Sequence, residues 1–180
     1  MMPDNIYGIV RREEGGLADL PGDTGGLTNY GVTQARYDRF RGAGRTRSVR
    51  DIEESEVFAV YEEYWQEAKC DLLAWPINLV HFAFAFNAGV TVATKLLQRA
   101  LNVIPDGQIW PTRAAIGLAN SSKSSAYIAA YRLLLEQVFF YDSLDVNRPE
   151  RTRFLTILWL KRLKHIYGDI DKEDTKEPTA

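Results

Sequence analysis

The sequence EEGGLADLPGDTGGLTNYGV, residues 13–32, places glycines and carboxylates together in one irregular segment. Six of the chain's 13 glycines lie in it, a density that predicts backbone with positive φ or a close approach to another group. Four acidic residues lie among these glycines: Glu13, Glu14, Asp19 and Asp23. This combination is typical of an active-site loop.

The residues before this loop predict a short helix that ends where the loop begins. Its apolar residues recur at helical spacing: Ile6, Ile9 and Val10. Asp4 or Asn5 is expected to cap the start of the helix, and Gly15 to end it in a left-handed conformation. Glu13 or Glu14 would then lie at the C-terminal end of the helix, next to its buried face. A carboxyl partly removed from water is biased towards its protonated form and can act as a general acid, but periodicity does not choose between the two glutamates.

Helical periodicity continues through most of the chain after a small hairpin expected near residues 28–32. Thr33 is expected to begin the next helix, and Gly89 to separate two later ones. Long helices are expected over residues 125–141 and 149–167. The predicted fold class is therefore mainly α, with six to seven helices and at most one small β-hairpin next to the first helix.

Composition excludes several classes of function. With 22 basic and 24 acidic residues, the net charge does not indicate a nucleic-acid partner. The most apolar run, residues 79–97, contains too many polar residues for a stable membrane insertion. The first residues lack the basic and apolar regions of a signal peptide, so we expect synthesis in the cytoplasm of a host cell.

The remaining reactive and aromatic residues have ordinary structural explanations. Cys70 is expected to be a small buried residue, and His81 a hydrogen-bonded core residue. His165 has no catalytic or metal-binding motif around it, so no cofactor and no metal are expected. Tyr64 and Trp65 are predicted either to form a platform on which a sugar ring stacks or to be part of the core.

Four short motifs in the opening segment resemble the catalytic segment of glycoside hydrolase family 108. They are Glu14-Gly15-Gly16, Asp23, Gly25-Gly26-Leu27-Thr28 and Gly31-Val32. This family contains lysozyme-like N-acetylmuramidases, found among phage endolysins and secretion-associated bacterial enzymes. The resemblance implies a lysozyme-like fold and selects Glu14 over its neighbour.

Further similarity extends the resemblance over roughly residues 3–166. It is carried by Tyr64-Trp65, Phe86-Asn87-Ala88-Gly89, Leu97-Gln98-Arg99-Ala100-Leu101, and Trp159 with Arg162. It implies a catalytic lobe at residues 1–90 and a helical lobe at 91–167 that resembles a peptidoglycan-binding region, packed into one compact domain. Residues 168–180 are charged and expected to form a mobile tail.

The same resemblance implies roles for individual residues. Glu14 would be the general acid, Asp23 the second carboxylate, and Thr28 the residue that orients water. Asp23 can alternatively close an Asx-turn, and Thr28 can be an ordinary strand residue. The other expected substrate-binding residues are Asp19, which is also the reserve carboxylate, and Asn29, Tyr30, Tyr64, Trp65 and Asn87.

The expected function is hydrolysis of the β-1,4 bond between N-acetylmuramic acid and N-acetylglucosamine in bacterial peptidoglycan. Such an endolysin would act as a monomer at the cell wall or periplasm, with access provided by a separate membrane-permeabilising protein. The alternatives are a non-catalytic peptidoglycan-binding or secretion-helper protein on the same fold, and a chitinase-like glycosidase. Basic residues of the last helix either assist approach to an anionic envelope or form a solvated face: Arg148, Arg151, Arg153, Lys161, Arg162 and Lys164.

Overall fold

The computed structural model describes residues 1–18, 26–42, 44, 47–147 and 161–172. It divides into two compact units, Met1–Glu67 and Ala68–Ala180. Helices dominate both units, which confirms the predicted mainly α, lysozyme-like fold class. The functional boundary near residue 90 stays a prediction.

The regular elements occur in the following order along the chain. They are α1 (Asp4–Glu13), β1 (Thr28–Asn29), β2 (Val32–Thr33), α2 (Gln34–Arg41), α3 (Glu54–Glu67), α4 (Ile77–Ala88), α5 (Val90–Ala100), α6 (Arg113–Ala119) and α7 (Lys123–Asn147). Short 3-10 helices lie at Val49–Asp51, Cys70–Leu72 and Trp110–Thr112. Residues 161–172 are also helical.

Helix α1 ends as predicted but begins differently. Its N-cap is Pro3, which is extended and makes no side-chain cap, so the expectation that Asp4 or Asn5 caps the helix is wrong. Asp4 lies inside the first turn, where its negative charge is favourable at the positive end of the helix dipole. At the other end, Glu14 is the C-cap and Gly15 has a φ of +68°, the left-handed conformation expected for this glycine.

The predicted hairpin is present as strands β1 and β2. Thr28 pairs with Thr33 and Asn29 with Val32 in an antiparallel register. Tyr30 and Gly31 between them both have positive φ, the combination that matches a two-residue turn to the twist of the strands. The Thr33 side chain then accepts a hydrogen bond from the backbone of α2, so this residue begins the helix as predicted.

The core of the first unit comes mainly from α1 and α3. On α1 the predicted apolar residues are buried: Ile6, Ile9 and Val10. Helix α3 buries one face at helical spacing: Val57, Val60, Tyr61 and Trp65. Val32 of the hairpin and Tyr37 of α2 are also buried. The irregular segment 13–32 is therefore attached at both ends to elements that contribute to the core.

Helix α4 is the centre of the second unit, since most of its side chains are buried. It packs against α5 and α7, which also pack against each other. Gly89 separates α4 from α5 with a φ of +85°, as predicted. The ring of Phe84 lies 5.4 Å from that of Phe140 and 5.6 Å from that of Tyr141, both on α7.

The C-terminal helices extend beyond their predicted ends. Helix α7 continues to Asn147 rather than residue 141. The last helix reaches residue 172 rather than 167, and Ile170 in this extension is fully buried, which anchors residues that were expected to belong to a mobile tail. The rest of that tail, 173–180, lies outside the described residues. Among the residues that the structure describes, no helix is both long and apolar enough to cross a bilayer.

Candidate active site

Glu14 lies at the point where α1 gives way to the glycine-rich loop. Its backbone N–H donates to the carbonyl of Val10 at 3.1 Å, which closes the last helical turn. Its side chain is half-buried. The following glycine has a positive φ that ends the helix, so Glu14 is the last residue before the chain enters the loop.

The neighbouring Glu13 has a different environment. Its side chain is only 12% exposed, and its Oε1 lies 3.6 Å from Nε of Arg12. Both glutamates are thus partly withdrawn from water, as helical spacing predicted. Burial alone does not choose between them, and the choice of Glu14 rests on the motif Glu14-Gly15-Gly16.

The two ends of the loop are joined by backbone hydrogen bonds. Ala18 N–H donates to the Thr28 carbonyl at 2.8 Å, and Thr28 N–H donates to the Ala18 carbonyl at 2.9 Å. The Thr28 hydroxyl donates to the carbonyl of Gly26 at 3.1 Å. Asp19 and Asp23, the two candidate second carboxylates, lie between these ends but outside the described residues.

Asn29 and Tyr30 shape the turn beside Thr28. Asn29 is 6% exposed, and its amide nitrogen donates to the carbonyls of Val49 and Arg50 at 3.2 Å each. This amide therefore attaches the hairpin to the Val49–Asp51 turn. The carbonyl of Tyr30 accepts a hydrogen bond from the hydroxyl of Tyr61 at 2.9 Å.

An arginine that the sequence reasoning did not single out connects the helix end to this turn. Arg11 places its guanidinium 3.5 Å from the centre of the Tyr30 ring. Its Nη1 lies 3.5 Å from the Gly15 carbonyl, and its Nη2 lies 3.1 Å from a carboxylate oxygen of Glu54. Three separate elements therefore meet at this one side chain.

The Glu54 carboxylate also accepts a short hydrogen bond from the hydroxyl of Tyr7. This bond is the main cause that lowers the pKa of Glu54, with a further contribution from Arg11. Burial, followed by the interaction with Glu54, raises the pKa of Tyr7. Burial alone would lower the pKa of Arg11, but Glu54 outweighs it and the pKa is raised. These shifts favour the ionised forms of Glu54 and Arg11 and the neutral form of Tyr7.

The spacing of residues in the sequence could have identified part of the cluster formed by Tyr7, Arg11 and Glu54. Tyr7 and Arg11 are four residues apart, so they lie on the same side of α1. That side adjoins the buried Ile6 and Val10. A cation at the edge of an apolar stripe requires an anionic partner, but the identity of Glu54, 43 residues away, depends on tertiary structure.

The two rings of the predicted sugar platform differ in burial. Trp65 is 1% exposed, so its ring offers no face to solvent. Tyr64 is half-buried, and the guanidinium of Arg36 lies 4.2 Å from its ring centre. Arg36 is held there by Glu63 and Glu67, at 2.9 and 3.0 Å. The Arg36 guanidinium therefore covers one face of the Tyr64 ring.

Asn87 belongs to the second unit, at the end of α4. Its side chain is exposed, its amide nitrogen donates to the Ala83 carbonyl at 2.8 Å, and its oxygen accepts a hydrogen bond from Arg162. The part of the chain that the structure describes contains no group of three or more His, Cys, Asp or Glu side chains that could hold a metal. Cavities of about 430 and 570 Å³ occur elsewhere, near Gln98 and near Phe58, and neither is lined by Glu14 or Thr28.

Comparison with known proteins finds a family match that includes this segment. The family model described as Glycosyl hydrolase 108 matches residues 7–89, a range that contains Glu14, the loop and the hairpin. Residues 7–89 thus match the Glycosyl hydrolase 108 family and form what we call the glycosyl hydrolase 108 region. The resemblance stated from the sequence is therefore confirmed over this range. At the level of the family, the glycosyl hydrolase 108 region supports a peptidoglycan-degrading glycosidase.

The fold similarity extends beyond the glycosyl hydrolase 108 region. The solved structure of Brucella abortus SagA superimposes with a TM-score of 0.75 at 24% identity, and the match covers 96% of this chain and 95% of that one. This likeness shows a shared fold across both units. No curated protein sequence gives a significant match.

Proposed function

We propose that this protein is an N-acetylmuramidase that hydrolyses the β-1,4 bond between N-acetylmuramic acid and N-acetylglucosamine in bacterial peptidoglycan. One observation carries the proposal: a half-buried glutamate, Glu14, caps the end of α1 within the glycosyl hydrolase 108 region. The adjacent Gly15 has a positive φ and ends α1 directly after this glutamate.

Glu14 is assigned as the general acid that protonates the leaving glycosidic oxygen. Partial removal from water disfavours its ionised form, and so does the negative end of the α1 dipole. A carboxyl that keeps its proton near neutral pH can transfer it as the glycosidic bond breaks, which lowers the charge that develops on the leaving sugar.

Asp23 is assigned as the second carboxylate, with Asp19 in reserve. It would either activate a water molecule on the opposite face of the sugar or stabilise the positive charge of the transition state. Thr28 is suited to orient that water, because its hydroxyl proton is directed to the Gly26 carbonyl. Its oxygen lone pairs can then accept a hydrogen bond from water.

The primary test compares two conservative variants. Glu14→Gln removes the acid but preserves the size of the side chain, so we expect unchanged thermal unfolding and loss of reducing-end release from purified sacculi. Glu13→Gln is the matched variant at the adjacent position, and we expect it to retain activity. Activity of Glu14→Gln within a few-fold of wild type would overturn the assignment, and loss only in Glu13→Gln would transfer the role to Glu13.

Two other functions give different outcomes in the same assay. A non-catalytic peptidoglycan-binding protein would sediment with sacculi without releasing reducing ends. A chitinase-like glycosidase would also cleave polymers of unmodified N-acetylglucosamine. Mass spectrometry of the sugar ends released from sacculi separates muramidase cleavage from cleavage on the other side of N-acetylglucosamine.

A further inference from the structure

The Arg11 side chain makes three contacts in three different directions. The plane of its guanidinium faces the Tyr30 ring at 3.5 Å, while two of its nitrogens point to the carbonyl of Gly15 and the carboxylate of Glu54. Only arginine among the amino acids combines a stacking face with a planar fork of donors. A lysine ammonium is a compact charge that can keep the ion pair but cannot satisfy this whole arrangement.

Each contact belongs to a different part of the site. Gly15 follows the candidate acid directly, and Tyr30 is two residues beyond Thr28. Glu54 begins α3, a helix whose face of buried residues anchors it in the core. Arg11 therefore links both the peptide after Glu14 and the turn after Thr28 to the first residue of α3.

The anchor on α3 is itself well fixed. The Tyr7 hydroxyl donates to Glu54, and the Tyr7 ring makes edge contacts with Phe58 and Tyr61 at centroid distances of 5.0 and 5.4 Å. Tyr61 in turn donates to the carbonyl of Tyr30 at 2.9 Å. The turn is thus attached to α3 twice, once through Tyr61 and once through Arg11.

We propose that Arg11 is a positioning residue for the acid, which holds the Glu14–Gly15 peptide at a set distance from the Tyr30 turn. The proposal rests on the proposed function for its catalytic consequence. Arg11 does not need to touch the substrate in this role. Its effect arises because general acid catalysis requires the proton donor within hydrogen-bond reach of the leaving oxygen, and a misplacement of about 1 Å can cost about 100-fold in rate.

A first experiment tests the positioning without any activity. Amide hydrogen exchange is measured for Ala18 and Thr28, whose mutual hydrogen bonds report whether the loop ends stay together. In Arg11→Ala we expect exchange at both amides to accelerate by roughly tenfold or more, as for local opening of a weakened segment. Arg39→Ala is the matched control, since it removes an exposed arginine of α2, and we expect wild-type exchange there.

A second experiment measures kinetics on soluble, peptide-stripped glycan strands. For Arg11→Ala we expect kcat to fall roughly 10-fold to 100-fold with KM almost unchanged, because the loss concerns placement of the acid and not ground-state binding. Arg11→Lys should recover part of kcat, and Arg39→Ala should match wild type. A purely structural role would instead reduce the active fraction in proportion to unfolding, without rescue by lysine.

The two experiments separate the possible failures. If wild type releases no reducing ends, the proposed function fails, and the exchange data alone decide whether Arg11 joins the loop ends. Unchanged exchange in a folded Arg11→Ala protein overturns the positioning role. An unchanged kcat in Arg11→Ala also overturns the positioning role. The same holds if the whole fall in kcat is explained by the fraction of protein that is unfolded at the assay temperature.

Discussion

Ala18 and Thr28 exchange two backbone hydrogen bonds, of 2.8 and 2.9 Å, and so close the base of the loop that carries both candidate second carboxylates. Thr28 thus pairs with Thr33 of the hairpin on one side and forms a single antiparallel bridge with Ala18 on the other. The loop between residues 18 and 28 therefore leaves and returns at adjacent points.

The bridge predicts a difference between two substitutions of Ala18. Proline removes the N–H that donates to the Thr28 carbonyl, whereas serine retains it. We expect Ala18→Pro to lower the free energy of unfolding by about 1 kcal/mol, the typical net value of one hydrogen bond, and to reduce glycan hydrolysis at least tenfold. Ala18→Ser should match wild type in urea unfolding and in activity. Equal activity of both variants would show that closure of the loop base is not needed for catalysis.

The two glycines after Glu14 are predicted to differ in how much an alanine substitution lowers the free energy of unfolding. Gly15 has a φ of +68°, so an alanine there is strained even though no atom lies within 4 Å of its added Cβ. Gly16 has no positive φ and equally open surroundings. We expect Gly15→Ala to lower the free energy of unfolding by about 1 kcal/mol, and Gly16→Ala to leave it unchanged or slightly raised.

Activity measurements on the same two variants give further information. If Gly16→Ala folds normally but loses hydrolysis, the space above Gly16 is occupied by the substrate in the complex. If Gly15→Ala is as stable as wild type, the left-handed conformation at the end of α1 is not the reason for this glycine.

Local signals account for the part of the fold and site that the sequence predicts well. Gly15 and Gly89 both adopt a positive φ, which glycine tolerates and which ends a helix, so the end of α1 and the break between α4 and α5 are predictable. The start of α2 is predictable because Thr33 is a favourable capping residue. These features depend on a few neighbouring residues. Glu14 was selected by a contiguous motif that is also local.

Long-range contacts account for what the sequence did not predict. The partners of Arg11 come from positions 30 and 54, and no periodicity connects those positions to residue 11. Helix 161–172 continues past its expected end because Ile170 is buried in the second unit, a fact that depends on tertiary packing. The charged composition around Ile170 indicated only solvent exposure.

Gln98 is predicted to be a major contributor to the stability of the second unit. It is 1% exposed, and its amide nitrogen lies 2.6, 3.0 and 3.0 Å from Asp106 Oδ1, the Gln108 carbonyl and the Thr112 hydroxyl, three acceptors that share its two N–H groups. Its oxygen accepts from Gly107 N–H at 2.8 Å. Gln98→Met would leave these groups without their partner, so we expect a loss of about 2–3 kcal/mol in urea unfolding.

A titration provides an independent check on Gln98. Its hydrogen bond is the main cause that lowers the pKa of Asp106, so that pKa should rise towards its ordinary value in Gln98→Met. Gln66→Met is the control, because Gln66 is exposed and its amide nitrogen donates to the side chain of Glu62 one turn earlier in α3. We expect it to change stability by less than about 0.5 kcal/mol. Equal stability of the two variants would contradict the prediction.

The buried His81 is expected to make the stability of the protein depend on pH. Its side chain is fully buried, its Nε2 lies 3.2 Å from the Ala68 carbonyl, and its Nδ1 has no hydrogen-bond partner among the described residues. The expectation of a hydrogen-bonded core histidine is therefore confirmed. Burial lowers its pKa from 6.5 to about 4, and the bond to Ala68 offsets this only in part. The folded protein thus holds neutral His81 with its proton on Nε2.

The unfolded chain binds a proton at His81 below about pH 6.5, whereas the folded chain binds it only near pH 4. Unfolding therefore takes up a proton in this window, and stability falls as the pH decreases, by up to about 3 kcal/mol once pH 4 is reached. Urea unfolding between pH 7.5 and 4 measures this slope. His81→Gln can still donate to the Ala68 carbonyl but does not titrate, so the slope of its stability against pH should be smaller than that of wild type. An NMR titration that places the pKa of His81 near 6.5 in the folded protein would contradict this explanation.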